Sequence, residues 1–564
     1  MVEVRRKLLL VLLMLAAAGL YLVGNGGDAL WDRDEPRYAQ TSRQMLAGGD
    51  WVVPHYLDLV RTAKPVFIYW CQASAMAVFG DNSFAARLPS AVAIVLLLAL
   101  LAIVLWKPIG PQRTLWTVFI LASSALVVVE AKFCITDAVL LLWITIAQMC
   151  LYALWRGNDA WLIVVAMAVA VGLAGLTKGP VVLGILAMTV IALGALGWRQ
   201  PRVRRTACRQ LAMKLLVGIA IVTIIVLPWV VMVNHRASQF LRQAVGHEVW
   251  DRMLTPLEQH TGPPGYYLLS IWGTFFPWSL MLPMAIGLGW RHRADPRSRF
   301  ALAAVIGPWV MLECIRTKLP HYFLPVYPPL AFLLADALVR CLHGEHDDVR
   351  SKPFRIAAIG WAVLVGIVAW APFLAVRWFP APQPWTAMVC VGLAGDAVAI
   401  AAAVLLWRKR SAAGAMVMGL GAMAVFALLY GWYLPRAEFL RLSPRIARVL
   451  IDHGVTQPHQ VLMMDYMEPS LAFYQGGTIR EGGDLGFTPG FLPRLPQWMV
   501  VTRTLWDHAR PGMRDAFDIV DDEYGLAYAD HGRWLHVLVL HRKNRVDGTD
   551  LAPVSTPADS AGGK

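Results

Sequence analysis

Charge is scarce in this 564-residue chain. Asp, Glu, Lys and Arg together make up 16% of it against 57% hydrophobic residues, and the mean hydropathy of +0.53 excludes an ordinary soluble globular domain. A nucleotide-binding signature is also missing: there is no Walker A sequence and no GxGxxG between a strand and a helix. The seven cysteines (Cys71, Cys134, Cys150, Cys208, Cys314, Cys341, Cys390) show no CxxC or paired spacing, which excludes a metal knuckle or a disulfide framework. They act as small hydrophobes. The net charge of +14 does not point to nucleic acid, because Lys and Arg recur at alternate connections between apolar runs rather than in one patch.

What is there is a series of apolar runs long enough to cross roughly 30 Å of hydrocarbon. They lie at 8–24, 87–106, 114–129, 137–155, 160–177, 179–197, 213–233, 266–289, 300–315, 320–340, 356–376, 385–406 and 413–433. A mainly α-helical polytopic membrane protein with about 13 transmembrane helices is expected. The basic set Arg5-Arg6-Lys7, Lys107/Arg113, Arg156, Arg199–Arg209, Arg291–Arg299, Arg340–Arg355 and Arg408-Lys409-Arg410 marks the cytoplasmic side and places the N-terminus there. The first run has a basic flank but a long apolar part and no small-x-small cleavage site, so it is read as a retained span.

The transmembrane domain is expected over residues 1–433, with large outside loops at 25–86 and 234–265. In the first loop, "KPVFIYWCQASAMAVFG" places Phe67, Trp70, Cys71, Ser74 and Val78 at helical spacing, the pattern of an interfacial helix. From about residue 434 the charges mix and β-rich runs appear at 460–466, 497–502 and 534–541, with a helix at 444–453. An odd number of spans puts this small α/β domain, 434–544, outside the membrane. Residues 545–564 read as a disordered tail.

With that topology, the unusual polar residues near span ends fall on one face: Asp34, Glu35, Arg37, Arg61, Lys64, Glu130, Lys132, Asp137, Lys178, His260, Arg316, Lys318, His321 and Tyr322. Ionisable groups at membrane depth are costly and mark sites or pathways. Cations and carboxylates together suit binding of a lipid-linked phosphate while a second substrate is oriented. Lys178 is read as the outer start of a span, with Gly179-Pro180 opening a helix whose dipole favours an anion. Each residue also has a purely structural reading. Lys178 and Lys318 could anchor span ends, Asp137 could cap a helix, His260 could be a loop residue, and Asp34-Glu35 could form a solvated turn before a helix starting at Pro36.

The ordered motifs "DEPRYAQTSRQMLAGGDWVVPHYLDLVRTAKPVFIYW", "LTKGP" and "KLPHYFLPVYPPLA" resemble the GT-C glycosyltransferases of the aminoarabinose transferase and protein O-mannosyltransferase group, nearest to the bacterial lipid A aminoarabinose transferase branch. The resemblance implies an enzyme of the inner membrane that takes a sugar from a polyprenyl-phosphate carrier and passes it to a lipid, glycan or protein acceptor outside. It implies catalytic roles for Asp34, Glu35 and Asp137 and donor-phosphate contacts from Arg37, Lys64, Lys178, Lys318 and Tyr322. Relatives of the lipid A branch carry Glu directly before the Lys-Pro of the first loop, where this chain has Ala63. His260 is then left as a lone candidate metal ligand, which cannot by itself make a closed site; a divalent metal is the one cofactor the resemblance leaves open, and Ala63 in place of Glu counts against it. The alternatives are a protein O-glycosyltransferase and a lipid-linked sugar transporter or flippase. The transporter is disfavoured by the one-sided placement of the polar residues and the lack of a repeat.

Overall fold

The computed structural model describes residues 2–31, 34–197, 205–245, 262–346, 351–375, 383–477, 479–482, 487–528 and 532–543. All thirteen expected apolar runs are helical in whole or in part. Among the described residues, eight helices are long and apolar enough to cross a membrane, or nine if one bent pair counts as a span. The other runs are shorter, more charged or interrupted. Residues 266–289, for example, divide into helices Tyr266–Thr274 and Leu282–Arg291 around a 3-10 turn.

The bent pair shapes the end of the bundle that carries Asp137. Helix Pro111–Ser123 turns by 65° into the short helix Ala125–Ala131. A kink frees backbone donors, and inside a membrane protein these must find partners. Here the Ala125 N–H donates to the Phe276 carbonyl at 2.8 Å, while Ser123 Oγ and Ser124 Oγ donate back to the carbonyls of Phe119 and Ile120. The short helix leads through 132–136 into helix Asp137–Trp155. That helix and its neighbour Trp161–Lys178 have 19 and 18 residues and are joined by a five-residue connection, so as an antiparallel pair they bring Asp137 and Lys178 to the same end. The next helix, Val181–Ala195, packs closely on Pro296–Cys314: a Cβ on Gly307 would lie 2.2 Å from the Met188 carbonyl oxygen.

The first loop contains helix Asp34–Gly48, a small antiparallel hairpin of β1 (His55–Tyr56) and β2 (Leu59–Val60), and helix Phe67–Phe79. Gln44 braces the hairpin turn, accepting from the Leu57 N–H and donating to its carbonyl. The last helix buries Ile68, Tyr69, Gln72, Ala73 and Met76. Phe67, Trp70, Cys71, Ser74 and Val78 form its other, more open face.

A buried ion pair ties the end of the first span to helix Ser83–Trp106. Arg87, 1% exposed, meets Asp28 at 2.8 Å and also donates to the carbonyls of Asn25 and Ala29.

The chain divides into two compact units, Met1–Leu30 with Tyr38–Ala437, and Trp31–Arg37 with Glu438–Lys564. The second holds a five-stranded sheet in the order β4-β3-β5-β7-β6, where β3 is Val461–Met464, β4 Ile479–Gly482, β5 Trp498–Thr502, β6 Phe517–Ala527 and β7 Arg533–Arg542. β3 runs parallel to β4 and β5, while β7 is antiparallel to β5 and β6. Alternation along the strands sends Val461, Met463, Val500, Val537 and Val539 to one face, where helix Leu442–Asp452 covers them. Met464, Met499, Val501, Leu538 and Leu540 pack on the other face with Trp506 and Met513.

Removing one member of the Arg87–Asp28 pair strands the other charge without water. Arg87→Met is expected to lower stability by about 3–5 kcal/mol, read as a fall in the thermal unfolding midpoint of the detergent-solubilised protein; an unchanged midpoint would deny the pair its role.

Candidate active site

In the first unit, one end of the helix bundle gathers a buried polar cluster. Lys178 Nζ lies 2.7 Å from Asp137 Oδ1, and both side chains are nearly closed to solvent. Thr136 Oγ1 donates to the other carboxylate oxygen at 3.1 Å. The ammonium also sits 4.7 Å from the centre of the Tyr322 ring, a cation–π contact in a desolvated setting. His321 lies within electrostatic reach of Asp137, and Glu130, 2% exposed, within reach of Lys178. One carboxylate and one ammonium thus pair at the ends of two helices, with a second carboxylate on a third helical element within electrostatic reach.

Local structure corrects two expectations. Lys178 does not open a helix: it is the last residue of Trp161–Lys178, and Gly179 stops that helix with φ +69° while the next begins at Val181. Its charge therefore complements a helix C-terminus, and it approaches Asp137 from that end. Asp137 is the first residue of its helix, yet the carboxylate is spent on Lys178 and Thr136, so the capping alternative does not describe it.

Lys318 has a different local task. Its Nζ donates to the carbonyls of Glu313 (2.8 Å) and Ile315 (3.0 Å), closing the C-terminal end of helix Pro296–Cys314. The Glu313 carboxylate accepts the N–H groups of Gly265 and Tyr267, tying that end to the start of helix Tyr266–Thr274.

On the first loop, Arg61 Nε donates to Tyr69 Oη at 3.0 Å, and its guanidinium lies 5.1 Å from the Tyr38 ring centre. Tyr38 and Tyr69 are themselves stacked. Lys64 Nζ donates to the Ala63 carbonyl at 2.8 Å.

Asp34, Glu35 and Arg37 belong to the second unit, whereas Lys64, Asp137, Lys178, Lys318 and Tyr322 belong to the first. The two acids of the first-loop motif differ sharply. Glu35 is fully buried and accepts the Trp31 N–H at 2.6 Å, which ties Trp31 to the first turn of helix Asp34–Gly48; that helix starts at Asp34 rather than Pro36, so the pair is not a solvated turn. Asp34 is exposed and Arg37 half-buried. His260 lies outside the described residues, and among the described residues no group of three or more His, Cys, Asp or Glu is placed to hold a metal.

Glu130 and His321 were visible in the sequence as outside polar residues but carried no role there. The signal was the spacing in "EAKFCITD", which returns Glu130 to Asp137's end of the bundle once the bent helix is known.

The chain is similar to known proteins in sequence and in fold. Residues 7–242 match the family model described as dolichyl-phosphate-mannose-protein mannosyltransferase. The chain is 33% identical over 365 residues to the undecaprenyl phosphate-alpha-4-amino-4-deoxy-L-arabinose arabinosyl transferase of Pseudomonas paraeruginosa, covering 62% of this chain and 63% of that protein. It is 34% identical over 376 residues to the corresponding protein of Edwardsiella ictaluri, covering 65% and 64%. It thus spans just under two thirds of the length of the curated relatives it matches. The crystal structure of ArnT from Cupriavidus metallidurans bound to undecaprenyl phosphate superposes with a TM-score of 0.73 at 21% identity, covering 96% of this chain and 99% of that one. Its apo form gives 0.72 at 22% identity, covering 94% and 97%.

The fold is therefore that of a GT-C-type multi-pass membrane protein with a small C-terminal sheet domain. The chain resembles the aminoarabinose transferases in sequence over the matched residues and in fold.

Because Asp137 and Lys178 are buried against each other, Asp137→Asn and Lys178→Met should each cost about 3–5 kcal/mol of stability, while the double variant should recover part of that loss. A thermodynamic cycle from unfolding of the solubilised protein measures this, and strictly additive losses would show that the pair is uncoupled.

Proposed function

We propose that the chain is a membrane glycosyltransferase that transfers a sugar from a polyprenyl-phosphate carrier to an acceptor at the outer face of the inner membrane. The observation that carries this reading is the buried cluster of Asp137, Lys178, Tyr322 and Glu130 at one end of a GT-C helix bundle.

The chemistry is a displacement at the anomeric carbon. The acceptor oxygen forms the new bond, the sugar–phosphate oxygen bond breaks, and the carrier phosphate leaves with the electron pair, inverting the configuration. Lys178 and Lys64, with the guanidinium of Arg37, are assigned to the departing phosphate, whose charge grows along the reaction. Asp34, the exposed acid of the first-loop motif, is assigned to the acceptor: it deprotonates a hydroxyl, or orients an acceptor that is itself a phosphate and needs no base. Glu35 is assigned to tying Trp31 to the start of helix Asp34–Gly48, because its carboxylate accepts the Trp31 N–H. Tyr322 lies over Lys178 and fixes the direction of the ammonium. No step is routed through a metal.

Lipid A or another envelope glycan is the acceptor implied by the resemblance of the first-loop, "LTKGP" and "KLP" motifs to the lipid A aminoarabinose transferase branch; the names of the relatives specify the donor and its sugar. A protein acceptor is a second reading, supported by the mannosyltransferase model matched over 7–242. The N-terminus is proposed to be cytoplasmic and the C-terminal domain periplasmic, from the distribution of Lys and Arg.

With purified protein and a polyprenyl-phosphate sugar, Asp34→Asn is expected to lower transfer about 10²–10⁴-fold. Lys64→Ala should also fall, and unchanged turnover in both variants would remove them from the reaction. For topology, a periplasmic reporter fused after residue 440 should be active; a cytoplasmic signal there would reverse the side assignment.

A further inference from the structure

The segment that carries Asp34 is grouped with the C-terminal domain, although some 400 residues separate them. Within that unit the Trp31 and Tyr528 rings lie 6.0 Å apart at 35°, in the range of favourable aromatic contact. Tyr528 directly follows strand β6, so its backbone is anchored by the sheet.

The Tyr528 side chain is held from below as well. Its hydroxyl bonds to the Ser470 side chain; Ser470 Oγ donates to Ser443 Oγ at 2.8 Å, and Ser443 Oγ lies 2.8 Å from Tyr466 Oη. Ser443, Tyr466 and Ser470 are almost wholly buried, and so is Glu468 beside them. Burial, with the nearby Glu468 carboxylate, pushes the Tyr528 hydroxyl well above the ordinary phenol range, so it remains a donor at neutral pH. The crevice lined by Ser443, Tyr466, Glu468, Ser470 and Tyr528 has no room for a water-sized group, which makes the network a support rather than a ligand site.

On the other side of the contact, the Trp31 N–H donates to buried Glu35 at 2.6 Å. Whatever fixes Trp31 therefore fixes Glu35, and with it the backbone of Asp34 between them.

We infer that Tyr528 and Trp31 form a latch by which the C-terminal domain sets the position of the start of helix Asp34–Gly48, which carries Asp34, so that Tyr528 is a positioning residue for the transfer reaction. The functional half of this inference rests on the proposed glycosyltransferase reading; the structural half does not. A site displaced by an ångström loses rate more than affinity, so the latch acts on turnover.

Two measurements on the full-length protein in nanodiscs test it. Hydrogen–deuterium exchange should be faster over residues 31–37 in Trp31→Ala and Tyr528→Ala than in the parent, with the bundle helix Asp137–Trp155 unchanged. Trp31→Phe should keep the slow exchange. Equal exchange over 31–37 in parent and alanine variants would overturn the latch whatever the activity of the protein. In the second measurement, with a polyprenyl-phosphate sugar as donor, Trp31→Ala and Tyr528→Ala should lower kcat about 10- to 100-fold and leave donor KM within about twofold, with Trp31→Phe restoring most of the rate. A parent protein without turnover would defeat the glycosyltransferase reading alone. An active parent whose alanine variants keep full kcat would defeat the positioning role alone.

Discussion

The 2.7 Å pair between Asp137 and Lys178 is the interaction on which the proposed site depends. Removing either partner would leave the other charge uncompensated in a nearly closed setting, at a cost of several kcal/mol. Together they form a desolvated, oriented ion pair at the end of the two helices. The pair exists because two helices of nearly equal length run antiparallel, one ending at Lys178 and the other beginning at Asp137. Tyr322 and Glu130 are then brought to it by a 3-10 segment and by the 65° bend at Ser124.

Other buried charges obey the same rule with a different result. Arg87 is consumed by Asp28 and two carbonyls, and Lys132 by the Val23 carbonyl, Asn25 Oδ1 at 3.2 Å and the face of Tyr430. Lys318 is given to the end of its own helix. These groups hold loops and helix ends in place. The Asp137–Lys178 cluster differs because an acid and an aromatic face sit against one ammonium, with a second acid within electrostatic reach, an arrangement that fixes the direction of the charge. In the second unit the two motif acids divide in the same way: Glu35 is buried and structural, and Asp34 is exposed.

Much of this was legible in the residues. Apolar runs mark helices because a chain in hydrocarbon must satisfy its own backbone, and the polar exceptions stand out against them. Asp137, Lys178 and Tyr322 were all visible as such exceptions, at separations of 41 and 144 positions that only the packing of helices could close. What could not be read was direction and partner. "LTKGP" does not say whether Lys178 ends one helix or starts another; that is decided by Gly179 adopting a positive φ. "KLP" does not reveal that the Lys318 ammonium folds back onto carbonyls three and five residues earlier. In the C-terminal domain the apolar strands β3, β5 and β7 were recognisable. The edge strands β4 and β6 were not, because "IREG" and "FDIVDDEYGLA" carry the polar side chains that an exposed edge tolerates.

The central claim is that the Lys178 cluster exists to hold a lipid-linked phosphate. The most direct measurement is phosphorus NMR of a polyprenyl phosphate titrated into the protein in nanodiscs, comparing the parent with the Asp137→Asn/Lys178→Met double variant, which removes both charges without stranding either. The account predicts a phosphate resonance that shifts and broadens with the parent, and binding weakened about ten- to a hundredfold in the double variant. A folded double variant that binds the phosphate as tightly as the parent would contradict it.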